Sequence, residues 1–233
     1  MLPKLKSPIF ELLLPSNGQP LKYRPYSVEE EKILLIAQQA NEIKESILAI
    51  RQVVNNCILD DIDVNSIPIF DLEWIYLQLR IKSVSDFVEI FVVDPDDKKK
   101  HEFSIDLKEI KVVNLDTQKT KIDLDPGVGI IMKYPTYELL EVIQKMDFKD
   151  VDDLFEIIYL CMEMIYDEES IYPVQDIDKA ELREWFTTMQ GTLFGKIVNF
   201  FEDMPKLQHK LHYMNGAGEE KEVVLEGVAD FFL

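Results

Sequence analysis

Val151-Asp152-Asp153-Leu154-Phe155-Glu156-Ile157-Ile158-Tyr159-Leu160-Cys161-Met162-Glu163-Met164-Ile165-Tyr166 lies at the centre of residues 136–204, and its reading decides the fold. Val151, Leu154, Phe155, Ile158, Cys161, Met162 and Ile165 recur at helical spacing. The run therefore predicts one helix over 151–166 with a buried stripe. Asp150 stands at its N-cap, and Asp153 holds the place where a capping box usually has Glu. Upstream, Thr136 caps a helix over 137–146 that carries Leu139, Leu140 and Ile143. Downstream, Asp178 and Glu181 repeat the capping signal before Leu182, Trp185 and Phe186. Gly191 breaks that element, and Leu193, Phe194, Ile197, Phe200 and Phe201 form a last helix closed by Met204-Pro205. The stretch 136–204 holds seventeen acidic and five basic residues, a net charge of −12. It reads as a packed helical body with an acidic outer face. Aromatic stripes of this kind are core, each large side chain contributing roughly 1.5–3 kcal/mol on burial before entropy is charged.

Working outward, 233 residues suffice for one compact core or two small ones. An apolar content of 47% excludes wholesale disorder. The formal charge of −19 disfavours a grip on nucleic acid and favours solubility or a basic protein partner. Cys57 and Cys161 lie in apolar helical runs, which predicts buried free thiols. No apolar run reaches membrane-spanning length, and residues 1–8 hold no signal-peptide core. A soluble intracellular protein is the expectation.

The N-terminal arm, 1–26, is broken by Pro8, Pro15, Pro20 and Pro25. Ile9 to Leu14 predicts a strand, Pro15-Ser16-Asn17-Gly18 a turn, and Leu21 to Tyr23 a return. Residues 28–56 predict a long helix opened by a Ser27/Glu30 capping box. Ile33, Ile36, Ala40, Ile43, Ile47, Ile50 and Val54 follow alternating three- and four-residue steps along it. That stripe has two readings: core of the domain, or a partner-binding face formed by Ile33, Ile36, Ile43, Ile47 and Ile50. Residues 66–82 form a shorter element with Phe70, Trp74, Leu77 and Ile81 on one face.

At Phe87-Val88-Glu89-Ile90-Phe91-Val92-Val93 the pattern switches to period two. A polar turn, 94–100, leads to a returning strand, His101 to Leu107. Ile110 to Val113 and Lys121 to Leu124 suggest a further hairpin, before Asp125-Pro126-Gly127-Val128-Gly129 turns into Ile130-Ile131-Met132. Gly127 and Gly129 lack the rest of any nucleotide-binding fingerprint. Leu207 to Tyr213, the turn 214–219 and Glu222 to Leu225 echo the first hairpin, and an apolar tail with Phe231 and Phe232 follows. The chain thus divides into an extended arm plus long helix (1–86), a β-hairpin region (87–135), an acidic helical body (136–205) and a C-terminal hairpin with tail (206–233), the last packed with 87–135. The class is α+β: a mostly helical body beside a small antiparallel β part made of hairpins.

Catalytic chemistry finds little support. His209 and His212 sit three apart, which in a strand puts them on opposite faces and unsuits them for joint metal ligation. Neither a nucleophile elbow nor a serine–histidine pairing stands out. Asp60-Asp61-Ile62-Asp63 lacks the glycine and closing glutamate of a calcium loop. No catalytic residue, metal or cofactor is assigned. The enzymatic alternative is a small hydrolase using surface carboxylates.

Several runs together resemble one family. Pro3-Lys4-Leu5-Lys6-Ser7-Pro8-Ile9-Phe10-Glu11-Leu12, Lys22-Tyr23-Arg24-Pro25 with Glu30 to Leu35, and Val128-Gly129-Ile130-Ile131-Met132-Lys133-Tyr134-Pro135 are three of them. Phe201 to Leu207 and Leu225 to Phe232 are two more. In this order they are similar to the tail baseplate proteins of T4-like bacteriophages, nearly end to end. The resemblance implies a non-enzymatic role in building the baseplate hub, as a chaperone-like late assembly factor or as a minor structural subunit. It implies contacts with other hub or tail proteins, none with nucleic acid or membrane, and a place in the host cytoplasm during tail assembly or in the virion baseplate. It sets no oligomeric state. Many members carry Cys-Pro-x-Cys-Gly at both hairpin turns, as zinc knuckles do. Here the matching residues are Asp94-Pro95-Asp96-Asp97-Lys98 and Asn215-Gly216-Ala217-Gly218-Glu219. The resemblance thus implies vestigial knuckle turns at Asp94, Pro95, Asp97, Asn215 and Gly218, with packing in place of zinc.

Overall fold

In a computed structural model the described residues are 6–40, 42–116, 120–143 and 151–232. They form two units, the first from the described residues within 6–64, 70–113 and 206–232 and the second from those within 65–69 and 114–205.

The first unit is built round α3 (Ile69–Ser83), which the sequence pattern presents only as a short element. Phe70, Leu72, Ile75, Tyr76, Leu77, Leu79 and Ile81 are all buried. A helix apolar on every side is a central helix, and its neighbours cover it. The N-terminal hairpin, β1 (Phe10–Leu13) and β2 (Pro20–Tyr23), is pinned to α3 by buried Asp71, which accepts from Ser16 N at 2.9 Å and from the Ser16 hydroxyl. Two helices follow, α1 (Val28–Ala40) and α2 (Ile43–Cys57), packed on each other. The expected continuous helix over 28–56 is therefore two: Glu42 is extended (φ −119°, ψ 123°) and opens the second. The capping box is present, with the Ser27 N–H donating to Glu30 Oε2 at 2.7 Å. Arg24 holds the same carboxylate at 2.8 Å and donates to the Asn56 carbonyl at 3.0 Å. The guanidinium and the Ser27 donors lower the Glu30 carboxyl to about 2.

The β part of this unit begins with β3 (Phe87–Val93) and β4 (Lys100–Asp106), paired in register from Phe87 with Asp106 to Val93 with Lys100. Then β5 (Lys111–Val113) pairs antiparallel with β10 (Lys206–Met214), which pairs with β11 (Glu220–Glu226) in a three-stranded sheet. The short helix α8 (Gly227–Phe232) closes it. The hairpin expected between 110–113 and 121–124 does not form, because β5 joins the distant β10 instead.

The second unit corrects the expectation of a mostly helical body. Its sheet has four antiparallel strands in the order β6 (Lys121–Asp125), β7 (Val128–Met132), β8 (Met162–Tyr166), β9 (Ile171–Pro173). Four helices pack in the same unit: α4 (Tyr137–Ile143), α5 (Val151–Cys161), α6 (Lys179–Thr188) and α7 (Gly191–Glu202). The helix predicted over 151–166 stops at Cys161 and the chain continues as a strand. Met162-Glu163-Met164-Ile165-Tyr166 also alternates, and pairing with Gly129 to Met132 satisfies its backbone. Gly129 stands opposite Tyr166, where an added Cβ would clash with the Tyr166 hydroxyl, so this glycine makes room for a ring. Across the described residues the fold is 42% helix and 30% strand, with eight helices and four antiparallel sheets of two to four strands. It is α+β, with the strands as structural as the helices. The expected cap at Asp150 lies outside the described residues. Asp178 does cap α6, accepting from Ala180 N at 2.8 Å. Both cysteines are buried and free, and burial pushes their thiols up, to about 11 for Cys57 and about 12 for Cys161. No helix among the described residues is long and apolar enough to cross a membrane.

Candidate functional site

The two hairpin turns singled out in the sequence meet in the first unit. Asp94 Oδ1 accepts from its own turn, from Asp96 N at 2.8 Å and Asp97 N at 3.0 Å. Asn215 Oδ1 does the same in the other turn, accepting from Ala217 N at 3.0 Å and Glu219 N at 2.9 Å. A short polar side chain at the head of each turn thus replaces backbone pairing with side-chain acceptors. Three contacts join the turns. The Tyr213 hydroxyl donates to Asp94 Oδ2 at 2.8 Å, Gly216 N donates to Asp97 Oδ2 at 2.8 Å, and Lys221 Nζ lies 2.9 Å from Asp96 Oδ2. The Tyr213 ring also packs on His101, centroid to centroid 4.3 Å, and edge-on to Phe103 at 6.2 Å. Pro95 is exposed on the first turn.

The turns differ by one residue. In the first, Lys98 N donates to the Asp94 carbonyl and Lys98 is left-handed (φ 60°). In the second, Gly218 N donates to the Asn215 carbonyl and Gly218 itself is left-handed (φ 80°). Backbone donors hold the Asp94 and Asp97 carboxyls below the usual carboxylate range, while burial and the Asp94 carboxylate raise the Tyr213 hydroxyl. Pairing with Asp96 and Glu219 raises Lys221.

Asp94, Asp97 and His101 offer ligand atoms within 4.8 Å of one another. This donor set does not fit the zinc of a knuckle, which needs soft thiolates. Both carboxylates already accept hydrogen bonds, and the Lys99 ammonium, 3.7 Å from Asp97, competes with any cation. His209 and His212 lie on opposite faces of β10, and His212 faces Glu220 and Glu222 at 3.8 and 3.5 Å.

The five isoleucines of the expected partner face fall on two helices. Ile33 and Ile36 are on α1, half-buried and exposed respectively; Ile47 and Ile50 are on α2, half-buried and buried. Ile43 opens α2, and its side chain lies outside the described set. Ile50 instead lines a groove of about 780 Å³ in the first unit, bordered by residues of α1, α2, α3, β3 and α8. Arg80, from α3, lies in it with Nη1 buried and unpaired among the described residues, its guanidinium 6.0 Å from the Phe232 ring. Sequence reading missed Tyr213, Lys221 and Arg80. The first two had a signal in the turn echo, since they flank the second of the paired turns on its two sides; Arg80 looks like any helix-surface arginine.

The sequence model of the family described as T4 bacteriophage base plate protein matches residues 7–233. In the same comparisons no curated protein and no solved structure matches.

Proposed function

Because the chain belongs to that base plate family, we propose that it acts by contact, as a transient and non-enzymatic assembly factor for the base plate hub. The observation that carries this reading is the apolar surface of the first unit: Leu35, Ile36, Phe87, Phe91 and Val93 are all about half exposed or more, Phe91 at 49% and Val93 at 58%. Apolar area of this kind favours partner contact. The −19 charge complements it, since self-repulsion keeps such a surface from meeting its own copies before a partner arrives. Its partners on this reading are other hub or tail proteins. The docked turns are the framework, and their inherited knuckle shape is part of the same proposal, with hydrogen bonds and the Tyr213 ring where related chains would hold metal. Asp94 and Asp97 are poor candidates for general acids, because their donors favour the ionised form.

The second reading, a minor structural subunit, draws on the family description itself. Quantitative mass spectrometry of hub intermediates and of finished particles separates the two. The chain is expected in the intermediates and depleted from finished tails. Stoichiometric retention in finished tails overturns the transient role in favour of the structural one.

A further inference from the structure

Strand β3 has an open edge. It pairs only with β4 among the described residues. Asp94 N donates to the Lys99 carbonyl and Leu107 N to the Asp86 carbonyl, which fixes the phase of the ladder. Val88, Ile90 and Val92 then point their N–H and C=O groups at β4, and Glu89, Phe91 and Val93 point theirs away. Soluble proteins blunt such an edge with proline, lysine, a bulge or a covering element. Phe87-Val88-Glu89-Ile90-Phe91-Val92-Val93 carries a single charge, no proline and an unbroken register. Its residues Val88 to Phe91 form one wall of the groove that also holds Arg80.

We propose that this groove takes an extended segment of another protein, which adds as a strand to the outer edge of β3 and places a carboxylate on Arg80. The proposal rests on the contact reading above and names its surface and its ligand chemistry. Backbone pairing with Glu89, Phe91 and Val93 supplies the frame, as in other strand-addition complexes. Alternate apolar side chains of the segment fill the wall between α1 and α8. Arg80 lines the groove with Nη1 enclosed and without an acceptor among the described residues, so a small turn of the guanidinium toward the groove lets it meet a carboxylate, which Arg binds with charge-assisted hydrogen bonds. Glu31, Glu89 and Asp230 on the rim select basic residues flanking that acid. A second copy of the chain is the weaker occupant, because each copy brings a charge of −19.

The test uses the full chain and an array of overlapping peptides covering the other base plate proteins of the same phage. Binding peptides are expected to alternate apolar residues around one Asp or Glu. With the tightest of them bound, hydrogen exchange at the Glu89, Phe91 and Val93 amides slows. Phe91→Pro, which deletes an outward N–H, and Arg80→Gln each weaken binding by about tenfold or more. Arg80→Gln costs nothing further against a peptide whose acid is changed to the amide. If Phe91→Pro fails to fold, the Arg80→Gln pairing carries the test alone. No binding peptide, or binding indifferent to Arg80 and without protection of those amides, overturns the proposal. Concentration-dependent dimerisation that protects the same amides also overturns it and gives the edge to a second copy. None of these outcomes depends on whether the chain stays in finished tails.

Discussion

The β3–β4 and β10–β11 hairpins begin from the same device and end differently. Each opens its turn with a short side chain, Asp94 or Asn215, that accepts from two backbone amides of that turn. Beyond the turn, β10 gains β5 on its other edge and α8 follows β11, so the second hairpin is built into the core. The first keeps an edge in solvent. Local turn chemistry therefore makes a hairpin in both places, and long-range pairing decides which one is structure and which is available surface.

The sharpest way to break this contrast is to put a charge in each strand. Leu207 lies fully buried in β10 where β5 pairs with it, and Val93 is exposed on β3. Leu207→Asp is expected to cost at least about 3 kcal/mol. That corresponds to a melting temperature lowered by roughly 6–12 °C in a chain of this size. Val93→Asp should leave melting nearly unchanged. Thermal unfolding followed by circular dichroism measures both, and equal losses would mean that β3 is as much core as β10.

A smaller effect sharpens the comparison at the turns. Asp94→Ala leaves two turn amides and the buried Tyr213 hydroxyl without their acceptor, whereas Asn215→Ala leaves two amides of its own turn and removes a part-buried donor to Glu219. Asp94→Ala should therefore lower the melting temperature by several degrees and Asn215→Ala by less. Tyr213→Phe removes one of the three cross-turn contacts alone and should fall between Asn215→Ala and no change. If Asn215→Ala proves the more damaging, the first turn is not the one that joins the pair.

The caps and the positions of the two turns were legible in the sequence, because they are local, although the amide-accepting roles of Asp94 and Asn215 were not read from it. Asp94, Asn215, the Ser27/Glu30 box and the Asp178 cap act within a few residues of themselves. Pairing across the chain leaves no such trace. Tyr213 and Asp94 are 119 positions apart, and β5 reads equally well as a partner for the next strand along. The helix-to-strand change at Cys161–Met162 was hidden for a different reason. Met162 and Ile165 satisfy a helical period from Ile158, while Met162, Met164 and Tyr166 satisfy a strand period; the waiting edge of β7 chooses between them. The open edge of β3 was invisible in the same way, since a strand's sequence does not say how many neighbours it has.

The smallest expected effect concerns how the closed hairpin is finished. Glu73 on α3 accepts from Val228 N at 3.1 Å, at the start of α8, and lies against Gly227, whose left-handed φ of 66° makes the corner. Burial pushes the Glu73 carboxyl up to about 7, outweighing the Val228 donor, and nearby Asp230 adds to the rise. The folded chain therefore holds a proton that the unfolded chain releases near pH 4.5. Folded stability from this group is full below pH 4.5 and declines as pH rises to about 7, above which the loss is complete. Glu73→Gln keeps an acceptor for Val228 without the buried charge. It should flatten the decline between pH 4.5 and 7 and raise stability at pH 8, read by denaturant titration at each pH. Exchange at the α8 amides should follow that change while the outward amides of β3 do not. Parallel movement of both would join the two hairpins into one cooperative piece, and the edge of β3 would then lose its independence from the core.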